Sequence, residues 1–105
     1  MLQLILAMML QLHPRQTTVN RNLVAVEISL AAHTFKDARL LVAIRFHEDT
    51  FNPYARYPFG LTCCMRQVQG PGDAARVVLR VLTAGRRQCR ALFQALHYYN
   101  TGRCQ

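Results

Sequence analysis

Leu2, Ile5, Leu6, Met9 and Leu12 recur at the three-to-four-residue spacing of an α-helix, with Gln3 and Gln11 on other faces. His13-Pro14 should end that helix, because the residue before a proline is pushed out of the α region. Thr17, Thr18 and Asn20 then stand ready to cap a second element. The next two apolar runs each fit two periods. In LVAVEISL, Val24, Val26, Ile28 and Leu30 alternate with Leu23, Ala25, Glu27 and Ser29, as in a half-buried strand. In RLLVAIRF, Leu40, Val42, Ile44 and Phe46 alternate in the same way. Yet Leu23, Val26 and Leu30 also share one helical face, as do Leu40, Leu41 and Ile44. The AAHTFKDA linker between the runs has neither Gly nor Pro, so the tight-turn chemistry of a hairpin is missing. Helix is the preferred reading of both.

The pattern breaks at HEDTFNPYARYPFG, an aromatic-rich loop with two prolines. Tyr54, Arg56 and Tyr57 could form a base-stacking platform; the preferred reading is that the rings of this loop cover a small core. GPG at 70–72 is the clearest loop, and Asp73 follows as an N-cap. The run AARVVLRVL would bury Ala75, Val78, Leu79 and Leu82, with Arg76 and Arg80 four apart on the other side. Gly85 stands where a C-cap glycine belongs. A last helix over 86–99 would carry Cys89, Leu92, Phe93 and Leu96 on one face. The expected fold is therefore mainly α: one small helical bundle over 1–105 with an irregular aromatic-rich middle loop. An α+β form, with a hairpin over 23–46 and a C-terminal helix pair, is the alternative.

Composition adds a partner class to this picture. The chain is 51% hydrophobic, which excludes a disordered polymer, and carries 13 basic against 5 acidic residues, a formal +8. Lys36 is the single lysine among the basic residues. From Thr50 onward Asp73 is the sole acid, against Arg56, Arg66, Arg76, Arg80, Arg86, Arg87, Arg90 and Arg103. Such asymmetry points to a nucleic acid, an anionic membrane or an acidic protein as partner of the second half. The composition also suits a chain from an overlapping or recently arisen reading frame, working through short helices without a packed core.

Cys63, Cys64, Cys89 and Cys104 include no C-x-x-C, and the four histidines are scattered, so zinc-ligand spacing is missing. Reduced, mostly buried thiols of a cytoplasmic or nuclear protein are the expectation. The start MLQLILAMMLQL lacks the basic stretch of a secretory signal and falls short of the roughly 20 residues a membrane span needs. With no acid before Glu27 it partly resembles a mitochondrial presequence; a first helix of the bundle is preferred.

Motifs for catalysis are missing: the chain has no G-x-S-x-G, H-E-x-x-H, P-loop or G-x-G-x-x-G. The candidate groupings are Glu48-Asp49 and a thiol–imidazole pair of His47 with Cys63 or Cys64, which nothing in the sequence positions. No enzyme activity, metal or cofactor is expected. The candidate partner-binding residues are Arg76, Arg80, Arg86, Arg87 and Arg90. If a helix begins at Arg86, then Arg86, Arg87 and Arg90 occupy its first turn, where the macrodipole disfavours cations. An anionic partner would compensate them.

DAARVVLRVLTAGRRQCRALFQALHYY resembles the last helices of caspase-recruitment domains of the death fold, with Leu79, Leu82, Gly85, Phe93 and Leu96 in the matching places. VNRNLVAVEIS, residues 19–29, is similar to that family's first helix. The resemblance implies a non-enzymatic adaptor that docks on an acidic module through the five arginines. A small basic nucleic-acid-binding accessory protein is the alternative, and self-association is a further option.

Overall fold

The computed structural model describes residues 1–89, 91, 94, 99 and 101–104. Among these residues four α-helices follow one another: α1 Leu2–Leu12, α2 Thr18–Ala31, α3 Phe35–Asp49 and α4 Asp73–Gln88. Two single 3₁₀ turns, Pro58–Gly60 and Met65–Gln67, punctuate the link between α3 and α4. No strand occurs among the described residues, so the helical reading of 23–46 holds and the hairpin does not.

The linker chemistry explains why. Thr34 Oγ1 accepts the Asp37 N–H at 3.1 Å, while the Asp37 carboxylate accepts the His33 N–H at 3.2 Å. This reciprocal cap serves the N–H groups that a helix start leaves unpaired. HTFKD is thus a stop-and-restart signal between two helices, and it needs no glycine. Thr17 does the same for α2, accepting from Asn20 N at 3.2 Å, as the sequence suggests. At the end of α1 the His13 N–H reaches Met9 O before Pro14 turns the chain.

α1 and α4 each pack against both α2 and α3. The core between them takes Ile5 and Met9 from α1, Val24, Ala25, Ile28 and Ala31 from α2, and Ala38, Leu41, Val42 and Ile44 from α3. α4 adds Ala74, Ala75, Val77, Val78 and Leu82. The alanines let the helix axes approach closely, and each larger aliphatic contributes roughly 1.5–3 kcal/mol by leaving water. The Cα radius of gyration is 13.2 Å, what a packed chain of this length has. The expected helical bundle thus has a packed core, and the alternative of short helices without one does not hold.

The aromatic loop splits by residue type. Phe51 and Phe59 are buried, whereas Tyr54 and Tyr57 stay 74% and 42% exposed. Thr50 and Phe51, both at positive φ (51° and 60°), turn the chain sharply off α3. That conformation is uncommon for side-chain-bearing residues and costs of order 1 kcal/mol or more each. Burial of the Phe51 ring, 5.3 Å from Phe46, offsets it, together with a hydrogen bond from the Gln16 side chain to Phe51 O.

Candidate functional site

The basic residues of α4 begin at a glycine that the geometry requires. Gly72 caps the helix at φ +87°, and a Cβ there would sit 2.9 Å from the Leu30 Cβ. Asp73 is the first helical residue rather than the cap. Its carboxylate fastens the preceding loop to the helix start instead, accepting the N–H groups of Gln69 (3.0 Å) and Gly70 (2.9 Å) and Arg76 Nη1 (2.8 Å). Those backbone donors, then Arg76, hold its carboxyl below the ordinary value.

α4 does not stop at Gly85. It runs on to Gln88, with Gly85 buried inside it and the Cys89 N–H bonded to Gly85 O. Arg86 and Arg87 therefore lie in the last turn of a helix, not the first turn of a new one. The macrodipole favours cations there, so the electrostatic misplacement expected from the sequence disappears. The helix expected over 86–99 falls partly in α4 and partly outside the described residues, as does Arg90.

At about 100° per residue, Arg76, Arg80, Thr83 and Arg87 share the outward face of α4, and Arg86 diverges from it. All four arginines are exposed. They differ in engagement. Arg76 is tied to Asp73 and donates to Leu30 O at 3.3 Å. Arg80 reaches the Gln67 side chain. Arg86 and Arg87 have no ion-pair partner among the described residues.

The most engaged arginine is one the sequence did not single out. Arg45 of α3 is wholly buried. Its Nη2 lies 3.4 Å from Glu27 Oε2 and donates to Asn52 O at 3.0 Å, and its Nε lies 3.2 Å from Asp49 Oδ1. The guanidinium carbon stands 4.9 Å from the Phe59 ring centroid, a cation–π contact. Asp49 also accepts the N–H groups of Phe59 (3.0 Å) and Asn52 (3.2 Å), and the Tyr99 hydroxyl donates to Phe59 O at 2.6 Å. Burial raises the carboxyl pKa of Glu27 and of Asp49 above their ordinary values, outweighing the opposing pull of Arg45. Tyr99 is likewise raised, chiefly by burial. The cluster joins α2, α3 and the aromatic loop. Its arginine ties these stretches together and does the work of a clamp. A signal for it was present: Ala38, Leu41, Val42, Arg45 and Asp49 fall on one helical stripe, and the last two occupy core positions.

An open cleft of about 320 Å³ borders this cluster, lined by Glu27, Pro58, Val68 and the Gly70–Gly72 loop. Its one ionisable lining residue, Glu27, is the carboxylate already paired with Arg45. Glu48 and Asp49 do not act as a pair, since Asp49 is taken up in the cluster while Glu48 is exposed.

The cysteines correct an expectation. Cys89 and Cys104 form a disulfide across 15 residues, which a reducing cytosol would not favour. Cys63 and Cys64 are free but exposed. The Cys64 thiol contacts the Cys63 sulfur at 2.6 Å, rather than His47, and this hydrogen bond raises the Cys63 thiol above its ordinary value. A thiol held protonated is a poor nucleophile. Among the described residues no group of three or more His, Cys, Asp or Glu side chains could hold a metal ion, and no helix is long and apolar enough to cross a membrane. The chain matches no protein-family model, no curated protein and no solved structure.

Proposed function

We propose that the protein is a non-enzymatic accessory protein that docks on an acidic protein partner through the basic face of α4. One observation carries this reading: the acids of the chain are largely used internally, and the α4 arginines are left over. Glu27 and Asp49 serve Arg45, Asp73 serves Arg76, and Asp37 caps α3. Arg80, Arg86 and Arg87 stay exposed, without an ion pair among the described residues. Bidentate carboxylate contacts are what such guanidinium groups make best. An adaptor of the kind implied by the resemblance to caspase-recruitment domains would work in this way. Its compartment would be one that tolerates the Cys89–Cys104 bond, or cytoplasm and nucleus if that bond is kinetically protected.

A second reading is supported by the loop. Tyr54 is the most exposed aromatic described, and Arg56 stacks 5.3 Å from the Tyr57 ring, a surface suited to unpaired bases. Mobility-shift titrations with a single-stranded oligonucleotide and a glutamate-rich helical peptide, at about 50 and about 200 mM salt, separate the two. Peptide binding lost in Arg80→Glu/Arg86→Glu/Arg87→Glu, without oligonucleotide binding at low salt, is expected. Oligonucleotide binding with a steep salt slope, weakened by Tyr54→Ala, would replace the first reading by the second.

A further inference from the structure

α2 has two apolar faces. Val24, Ala25, Ile28 and Ala31 are packed in the core. Opposite them, Val19, Leu23, Val26 and Leu30 follow one another at intervals of four, three and four, the seam spacing of paired helices. All four lie in water, at 67%, 44%, 41% and 45% exposure. A surface helix normally turns charged and polar residues outward, and contiguous exposed apolar stripes mark contact surfaces.

We propose that this stripe is the interface of a homodimer, in which α2 of one copy packs antiparallel against α2 of a second. Three observations favour a second copy as the occupant.

First, the stripe fits itself. A two-fold interface sets residue i against j and j against i. The two-fold that superimposes the stripe on itself sets Val19 against Leu30 of the other copy and Leu23 against Val26. Every layer then holds one valine and one leucine, equal in volume along the whole seam.

Second, the flanks carry no unpaired charge. Asn20, Asn22 and Ser29 border the stripe, and Glu27 is turned to Arg45. Arg21 folds back on the carbonyls of Pro14 and Gln16, at 3.3 and 2.8 Å. Two copies of a chain with net charge +8 repel each other. The nearest cation, Arg76, donates to Leu30 O at the end of the stripe and is paired with Asp73, so two copies can touch on this face without burying an unpaired charge.

Third, the area fits a reversible pair. The 14 residues of α2 span about 21 Å. A single helix pair of that length buries less than a standard interface of about 1,600 Å², which places the dimer at the weak, concentration-dependent end.

The test is sedimentation equilibrium of the full chain over roughly 1–200 µM, the range in which such an interface dissociates. The average mass should climb from 12.0 kDa toward twice that value. Leu23→Glu/Val26→Glu should weaken association at least about tenfold, with the helical circular dichroism unchanged because neither side chain belongs to the core. Val19→Lys, at the most exposed position of the stripe, should weaken it too and guards against loss of the fold as the cause. Added salt should tighten the pair by screening the charge of the two copies. A chain that stays monomeric throughout overturns the proposal; the stripe would then serve a different partner helix or a membrane surface. Equal association of wild type and Leu23→Glu/Val26→Glu overturns it as well. Arg80→Glu/Arg86→Glu/Arg87→Glu leaves the seam untouched, so failure of the basic-face reading and failure of the dimer are seen separately.

Discussion

Arg45 and Arg87 carry the same charge in opposite surroundings. Arg45 is sealed inside the bundle with two carboxylates, a carbonyl oxygen and an aromatic ring around it. Arg87 stands in water on the last turn of α4, where it has the helix dipole and no acid among the described residues. The first is held by specific contacts made at the cost of desolvating three charges. The second is held by almost nothing and is free to meet a partner. In a chain this basic, the arginine that matters most to the fold need not be among the clustered ones.

Removing Arg45 should have the largest effect. Arg45→Met leaves Glu27 and Asp49 without their counter-charge, and breaking a buried pair in this way costs about 3–5 kcal/mol. Urea denaturation would read it. Adding Glu27→Gln and Asp49→Asn to the same variant should recover a good part, because the uncompensated charges go too. A loss below about 1 kcal/mol would put Arg45 on the same footing as a surface ion pair.

Acidity probes the same cluster more gently. Burial keeps the carboxyls of Glu27 and Asp49 above their ordinary values of 4.5 and 3.8. The folded chain thus holds these two protons more tightly than the unfolded chain does. Their contribution to stability is full below the ordinary values and is lost as pH rises through the raised ones. Asp73 runs the other way, since its folded value is lowered: its contribution is present above 3.8 and fades as pH falls through the lowered value. Stability measured from pH 7 downward should therefore rise first and turn over in stronger acid. In Glu27→Gln/Asp49→Asn the rise should vanish while the acid loss remains.

The smallest effect belongs to the last turn of α4, and its sign is informative. Neutralising Arg86→Gln/Arg87→Gln should destabilise the chain, by up to about 0.3–1 kcal/mol for each charge, because cations favour a helix C-terminus. If a new helix began at Arg86, the same change would stabilise it. Thermal denaturation at low salt distinguishes the two outcomes.

Much of the fold can be read from single residues. Thr17 and Thr34 cap the helices they precede, Pro14 ends α1, and Gly72 opens α4 because only a glycine fits beside Leu30. The site was less legible, for three physical reasons. Gly85 has the composition of a stop, but the penalty for glycine inside a helix is only about 1 kcal/mol, which packing overrides. That moved Arg86 and Arg87 from one end of a dipole to the other. The stripe Leu23, Val26, Leu30 is plain in the pattern; periodicity alone could not tell that the smaller face of Val24, Ala25, Ile28 and Ala31 would be the one turned inward. Arg45 sits four residues before Asp49 on an otherwise apolar stripe, a cue masked by the eleven other arginines.

Phe59 shows what the clamp means for the order in which the molecule assembles. Its N–H is taken by Asp49, its carbonyl by the Tyr99 hydroxyl, and its ring by Arg45. Two of these partners lie on α3 and the third lies 40 residues beyond Phe59, and Arg45 is itself satisfied only once Glu27 of α2 has arrived. Residue 59 therefore has no stable place until the helices have met. The loop from Thr50 to Leu61 is expected to lock late in folding and to lose its hydrogen-exchange protection before the helices do.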